Sequence, residues 1–163
     1  MEEVAVRGIA HQKNVTKISI LGVPDRPGVA AKVFSGIGKH DVNINLIVQA
    51  EHHGGKNDIS FLVASDATPR VSRFLDELVS SVGGERAAVD ENVATVSLVG
   101  EGVQREPGIA ARMFTALADA GINIDLISTS NLMVTCVVPK DRAEDAVRSL
   151  HDEFFPQTET AKR

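Results

Sequence analysis

The chain repeats itself, and the repeat limits what it can fold into. Residues 27–47, PGVAAKVFSGIGKHDVNINLI, align with residues 107–127, PGIAARMFTALADAGINIDLI, at an offset of 80. Nine of the 21 positions are identical, and most others exchange like for like: Val29/Ile109, Lys32/Arg112, Val33/Met113, Ser35/Thr115. The apolar run before each segment repeats as well. Ile18–Gly22 lies over Val96–Gly100 at an offset of 78, so the second loop carries two extra residues. Self-similarity of this kind implies one supersecondary unit built twice. A length of 163 residues accommodates two small domains.

Each copy reads in the same order. A β-rich run (17–23; 94–100) ends in glycine, and a polar loop leads to Pro-Gly at a helix start, where the missing proline N–H costs nothing. The helices are expected over 28–40 and 108–120. Val29, Val33, Phe34 and Ile37 share one face, and Ile109, Met113, Phe114 and Leu117 repeat it. Strands follow at 42–50 and 122–129, then at 58–64 and 132–138. Helices at 69–82 and 142–155 close each copy. His52–Asn57 reads as the hairpin turn between the second and third strands of the first copy.

The order β-α-β-β-α points to an α+β fold of two ferredoxin-like βαββαβ units in tandem. The first copy finds its last strand at 86–89. The second has none after its final helix, whereas Val4–Ala10 is a spare strand at the other end of the chain. The economical solution is that this N-terminal strand completes the second unit. The expected domains are therefore 12–90, and 91–163 plus 1–11.

Composition narrows the function. The chain has six Phe and neither Trp nor Tyr, a net charge of −5 and a pI of about 5.5. Nucleic-acid readers need aromatic platforms or a basic surface, so no nucleic-acid partner is expected. No window approaches the ~18 apolar residues of a membrane span, and the start Met-Glu-Glu-Val lacks a basic leader, so a cytoplasmic location without membrane contact is expected. Cys136, the single cysteine, sits in the apolar run Met133–Val138 and reads as a buried small hydrophobe. The five histidines are scattered without metal-ligand spacing, so no metal is expected.

The Pro-Gly loop is where ligand chemistry concentrates. A helix N-terminus offers unpaired N–H groups and the positive end of a dipole to a carboxylate. Gly28 allows close approach to the backbone. Asp25 has two readings: it caps the helix, or it meets a ligand ammonium group. In the second reading the loop recognises a free amino acid.

Asp25-Arg-Pro-Gly-Val-Ala-Ala-Lys-Val-Phe34, followed by Val42-Asn-Ile-Asn-Leu-Ile-Val-Gln49, resembles the first ACT domain of aspartokinases. Val96-Ser-Leu-Val-Gly-Glu-Gly102, Pro107–Phe114 and Gly121-Ile-Asn-Ile-Asp-Leu-Ile-Ser-Thr-Ser130 resemble the second, and Val6–Ala10 resembles the segment entering that regulatory region. The resemblance covers residues 2 to 155. It implies an end-product sensor for threonine, with lysine as second effector, acting by allosteric feedback on aspartate phosphorylation.

In that family effectors sit where ACT domains meet across a homodimer. The matching positions are Asp25, Pro27, Gly28, Val29, Ala30 and Gln49, with Asn123 and Ile124 from a second domain across the interface. Asp25 would take the ammonium, N–H groups at 28–30 the carboxylate, and Gln49 or Asn123 the hydroxyl. A lysine-type site would involve Ile109, Ala110, Ser130 and Asn131. There Arg105 replaces the acid, and Asn131 stands where the family often has Glu; an amide does not neutralise an ammonium as a carboxylate does.

The resemblance further implies that the kinase chemistry and its ATP belong to a separate catalytic α subunit, with this chain as the β partner of an α2β2 enzyme. No catalytic residue and no cofactor are expected here: Gly54-Gly-Lys56 is too short for a phosphate cradle. Four rivals follow from other features. The first is an ACT sensor for a different catalytic partner. The others are a histidine metalloprotein, an RNA-binding plait, and a small enzyme using Asp25, Asp58 or Asp125.

Overall fold

Between Gly8 and Gly22, and again between Glu85 and Gly100, the sequence contains neither Pro nor Gly to interrupt an extended chain. The computed structural model, which describes residues 5–157, accordingly has two long strands. These are β1 (Gly8–Pro24) and β4 (Arg86–Val99). The separate strands expected at 4–10 and 17–23 are one in the described part, Val4 lying outside it. Those expected at 86–89 and 94–100 are also one. The polar stretches His11–Asn14 and Asp90–Asn92 carry no breaker, so each strand runs on through them.

The remaining elements are α1 (Val29–Gly38), β2 (Ile44–His52), β3 (Lys56–Ala64), α2 (Thr68–Ser81), α3 (Ile109–Asp119), β5 (Leu126–Thr129), β6 (Met133–Pro139) and α4 (Ala143–Phe154). The chain divides into two compact units, Asn14–Asn92 and Val93–Arg163 with Met1–Lys13.

In Asn14–Asn92, β3 lies antiparallel between β2 and β1. The Glu85 N–H donates to the Leu21 carbonyl at 2.9 Å and leads β4 along the other side of β1. The order β2-β3-β1-β4 is that of a ferredoxin-like sheet. Directly paired residues share a face. The face carrying Ile18, Ile20, Ile59, Phe61 and Val63 is covered by Val29, Val33 and Ile37 of α1 and by Val71, Leu75, Leu78 and Val79 of α2. Fully burying each such side chain contributes roughly 1.5–3 kcal/mol. Phe34 meets Phe61 edge to face at 5.6 Å.

The second unit repeats the plan with β6 antiparallel between β5 and β4. Its fourth strand comes from the N-terminus: the Arg7 N–H donates to the Val99 carbonyl at 2.7 Å. Ala5 and Val6 join the core of Ala94, Val96, Leu98, Ile109, Met113, Leu117, Cys136 and Leu150. The approach is so close that a Cβ on Gly100 would run into the Ala5 carbonyl oxygen. Farther along, Lys13 Nζ donates to Glu144 Oε1 of α4 at 2.5 Å and holds that carboxyl below its ordinary pKa. The N-terminal strand thus completes the second unit.

β5 starts four residues later than expected: Ile122–Asp125 is irregular, tied to β6 by the Asp125 N–H donating to the Val137 carbonyl at 2.8 Å. No helix among the described residues is long and apolar enough to cross a membrane.

Candidate functional site

Helix α1 has no side-chain cap. Its N-cap is Gly28, at φ 91°, a left-handed conformation that glycine adopts without strain. The first helical bond runs from the Lys32 N–H to the Gly28 carbonyl at 3.0 Å. Ala30 and Ala31, in the same first turn, therefore have no acceptor within the helix, while the Val29 N–H donates to the Arg26 carbonyl at 3.4 Å. The capping reading of Asp25 does not hold. Its carboxylate is turned instead toward the β2–β3 hairpin, where the buried Asn57 side-chain amide donates to Asp25 Oδ1 at 3.0 Å. The Asp25 N–H donates to the Gly55 carbonyl at 3.0 Å.

The hairpin therefore does more than reverse the chain. Asn57 fixes Asp25. Asp58 Oδ1 accepts the Gly22 N–H at 2.9 Å, and its other oxygen, Oδ2, lies 3.6 Å from His52 Nδ1. Lys56 pairs with Glu85, lowering the Glu85 pKa, and Glu85 lies directly against Gly22. The result is that residues 22–28, the end of β1 and the loop into α1, are held from one side by the β2–β3 hairpin. Asn57 was missed as a partner of this loop because the run His52–Asn57 reads only as a turn, and Asp58 was weighed only as the acid of a small enzyme. The signal available was two adjacent short polar side chains entering an otherwise apolar strand.

Gln49 belongs to the same region. It pairs with Ile59, whose side chain lies on the helix-covered face, and Glu51 pairs with Asn57 two residues on. Gln49, Glu51, Asn57 and the Asp25 carboxylate therefore share one end of one face of this unit, the end at which α1 begins. Asp25, Gly28 and Gln49 are exposed, as a ligand-contacting set must be, while Val29 is buried beneath them. Exposed Asp25 and uncapped N–H groups offer an acid to a cation and donors to an anion.

The second copy repeats the backbone but not the charge. Gly108 is an uncapped N-cap at φ 94°, and the Arg112 N–H reaches the Gly108 carbonyl at 2.8 Å. Beside it lies a cleft of about 490 Å³ lined by Ala5, Glu101, Gly102, Gln104, Arg105, Glu106, Asn131 and Leu132. Of the expected second-site residues, Asn131 lines this cleft. Ile109 is buried in the core, and Ser130 Oγ accepts the Leu132 N–H at 3.3 Å. Asn123 and Ile124 lie in the irregular stretch before β5, Asn123 exposed and Ile124 half-buried against the core.

Among the described residues no three His, Cys, Asp or Glu side chains gather as a metal site. His40 stacks on Phe74 with ring centroids 3.8 Å apart, and His151 lies 5.5 Å from Phe155. Cys136 is buried, and burial pushes its thiol up to about 12.

Comparison with known proteins agrees with this architecture. ACT-domain families match residues 16–82 and residues 96–154. The regulatory subunit of aspartate kinase from Thermus thermophilus superposes with a TM-score of 0.86 at 33% identity, over 92% of this chain and 99% of that one. The chain belongs to the aspartokinase regulatory family. A crystal structure of aspartokinase alpha and beta subunits contains a chain 37% identical to this regulatory region (TM-score 0.85), covering 92% of this chain and 99% of that one. Aspartokinase from Mycolicibacterium smegmatis is 40% identical over 156 residues, 94% of this chain. This regulatory region spans 37% of the length of the curated aspartokinases it matches.

Proposed function

We propose that this regulatory region senses threonine and passes its presence to a separate aspartokinase catalytic subunit, inhibiting aspartate phosphorylation. The observation that carries the reading is the uncapped N-terminus of α1 beside an Asp25 carboxylate held in place by Asn57. A zwitterion fits those two groups. Its carboxylate would meet the N–H groups of the first turn, and its ammonium would meet Asp25. Gln49 then supplies an amide for the side-chain hydroxyl, with Asn123 and Ile124 of a second copy closing the site. A hydroxyl-directed site discriminates against analogues lacking that group, because its polar partners are left unpaired.

A homodimer supplies the second copy. In support, Ile47 and Ile127, equivalent positions of the repeat on strands β2 and β5, are about half exposed, at 54% and 46%. Threonine binding at such an interface would favour one packing of the dimer, and allosteric coupling of this type typically amounts to ~1–3 kcal/mol. Catalysis, with ATP, is assigned to the α subunit, and this chain on its own is not an enzyme. Lysine as second effector would belong to the cleft beside Gly108, where Glu101 and Glu106 supply carboxylates that Asn131 lacks.

Calorimetry and thermal shift with threonine, 2-aminobutyrate and lysine test the reading. Threonine should stabilise the chain well above either of the others. An equal or larger effect of lysine alone overturns the threonine assignment. Co-purification with a catalytic chain other than an aspartate kinase would make this a sensor for another enzyme.

A further inference from the structure

Strand β2 contains one residue too many. Asn45 pairs with Leu62 and Ile47 pairs with Phe61, leaving Leu46 unpaired in a β-bulge. Leu46 stands at φ 51°, a left-handed conformation that a leucine rarely adopts. Such a conformation persists where the surrounding structure over-determines it, and it clusters at sites of function.

The bulge decides which way the rest of the strand faces. Simple alternation from Ile44, which packs on the core, would put Leu46 and Val48 on the helix-covered face and Ile47 and Gln49 on the other. The observed pairs are the reverse. Ile47 opposes Phe61 and Gln49 opposes Ile59, both on the helix-covered face, while Val48 opposes Ser60 on the opposite one. A one-residue change in pairing moves every later side chain to the other face. The second unit reaches the same placement by another route. Its chain stays irregular through Asp125, and β5 then sets Ile127 opposite Cys136 and Thr129 opposite Val134, again on the core face.

We infer that Leu46 is a positioning residue for effector recognition: its left-handed bulge turns Gln49 onto the face that carries α1 and Asp25. The inference rests on the threonine reading above. A side chain that resists positive φ should straighten the strand and let 47–52 slip by one residue. Val48, not Gln49, would then oppose Ile59.

Threonine affinity is measured by calorimetry on the whole chain, with strand content followed by far-UV circular dichroism. Leu46→Val should weaken threonine at least tenfold with strand content retained. Adding Val48→Gln to it should restore most of the loss, a rescue that damaged packing would not produce. Leu46→Gly, which keeps positive φ, should stay within about threefold of the unaltered chain. Unaltered affinity in Leu46→Val, or absence of rescue in the folded double variant, overturns the inference. If Leu46→Val does not fold, Val48→Ala and Gln49→Ala decide: loss confined to the latter supports the inference, and equal loss overturns it. Absence of any threonine response in the unaltered chain removes the functional reading and this inference with it. A response in the unaltered chain that Leu46→Val preserves removes the inference alone.

Discussion

Asn57 donates a hydrogen bond from its buried side-chain amide to Asp25 Oδ1 at 3.0 Å, and in doing so sets the direction of an exposed carboxylate. The bond joins residues 32 positions apart and ties the hairpin to the loop that leads into α1. Asp25→Ala should abolish most threonine stabilisation while the fold persists, since Asp25 is exposed and caps nothing. Asn57→Ala should weaken binding less, by about tenfold, corresponding to ~1.4 kcal/mol. It should also lower stability, because a buried polar contact is lost. Calorimetry and thermal denaturation of both variants check this. Unchanged affinity in Asp25→Ala would mean that the acid serves only the loop.

At Gly100 the N-terminal segment passes close over the backbone of the second unit. Gly100→Ala forces its Cβ against the Ala5 carbonyl, so the backbone must shift. The expected cost is about 1–3 kcal/mol. Gly8→Ala, with no neighbouring atom within 4 Å and no positive φ, serves as the neutral comparison. Melting temperature and the rate of proteolysis within residues 5–13 report the difference. Removal of residues 1–12 should be more severe than either, and a truncated chain that folds unchanged would refute the shared second unit.

The Cys136 thiol, raised from 9.0 to about 12, predicts an alkaline loss of stability. Between those values the unfolded chain has released the proton and the folded one retains it. Unfolding therefore becomes easier as pH rises through the window, by up to about 1.4 kcal/mol per unit. Below pH 9 this contribution vanishes. Cys136→Ala should flatten that part of the stability–pH curve, and the native thiol should resist alkylation at pH 8 until the protein is unfolded.

The two cores should respond to truncation as packed interiors do. Phe61→Ala, at a fully buried site under α1 and α2, is expected to cost ~3–5 kcal/mol. Leu150→Ala, in the core of the second unit, should cost ~2–5 kcal/mol. Chemical denaturation monitored at two wavelengths measures both. A loss below 1 kcal/mol at either position would contradict the burial described.

Much of the architecture is local and so was readable along the chain. Helix periodicity places Val33 and Ile37 inward, and Met113 and Leu117 likewise, without knowledge of what they meet. Pro-Gly marks both helix starts, and the spare N-terminal strand follows from counting strands in a repeat. The candidate site residues Asp25, Gly28 and Gln49 were legible as positions matching a motif. Their arrangement was not. Asp25 turns away from the helix because Asn57, brought alongside by the β1–β3 ladder, offers a better partner than the helix end does. Gln49 opposes Ile59 on the helix-covered face because one leucine leaves the ladder, a parity change that no two-residue pattern encodes. Gly100 is needed only because Ala5 passes over it. Buried helix faces depend on neighbours three or four residues away, and the repeat and element order are read from the order of residues along the chain, so the sequence alone determined them. Side-chain direction around the loop before α1 depends on hydrogen bonds and strand register between distant segments, and only the tertiary structure decided those.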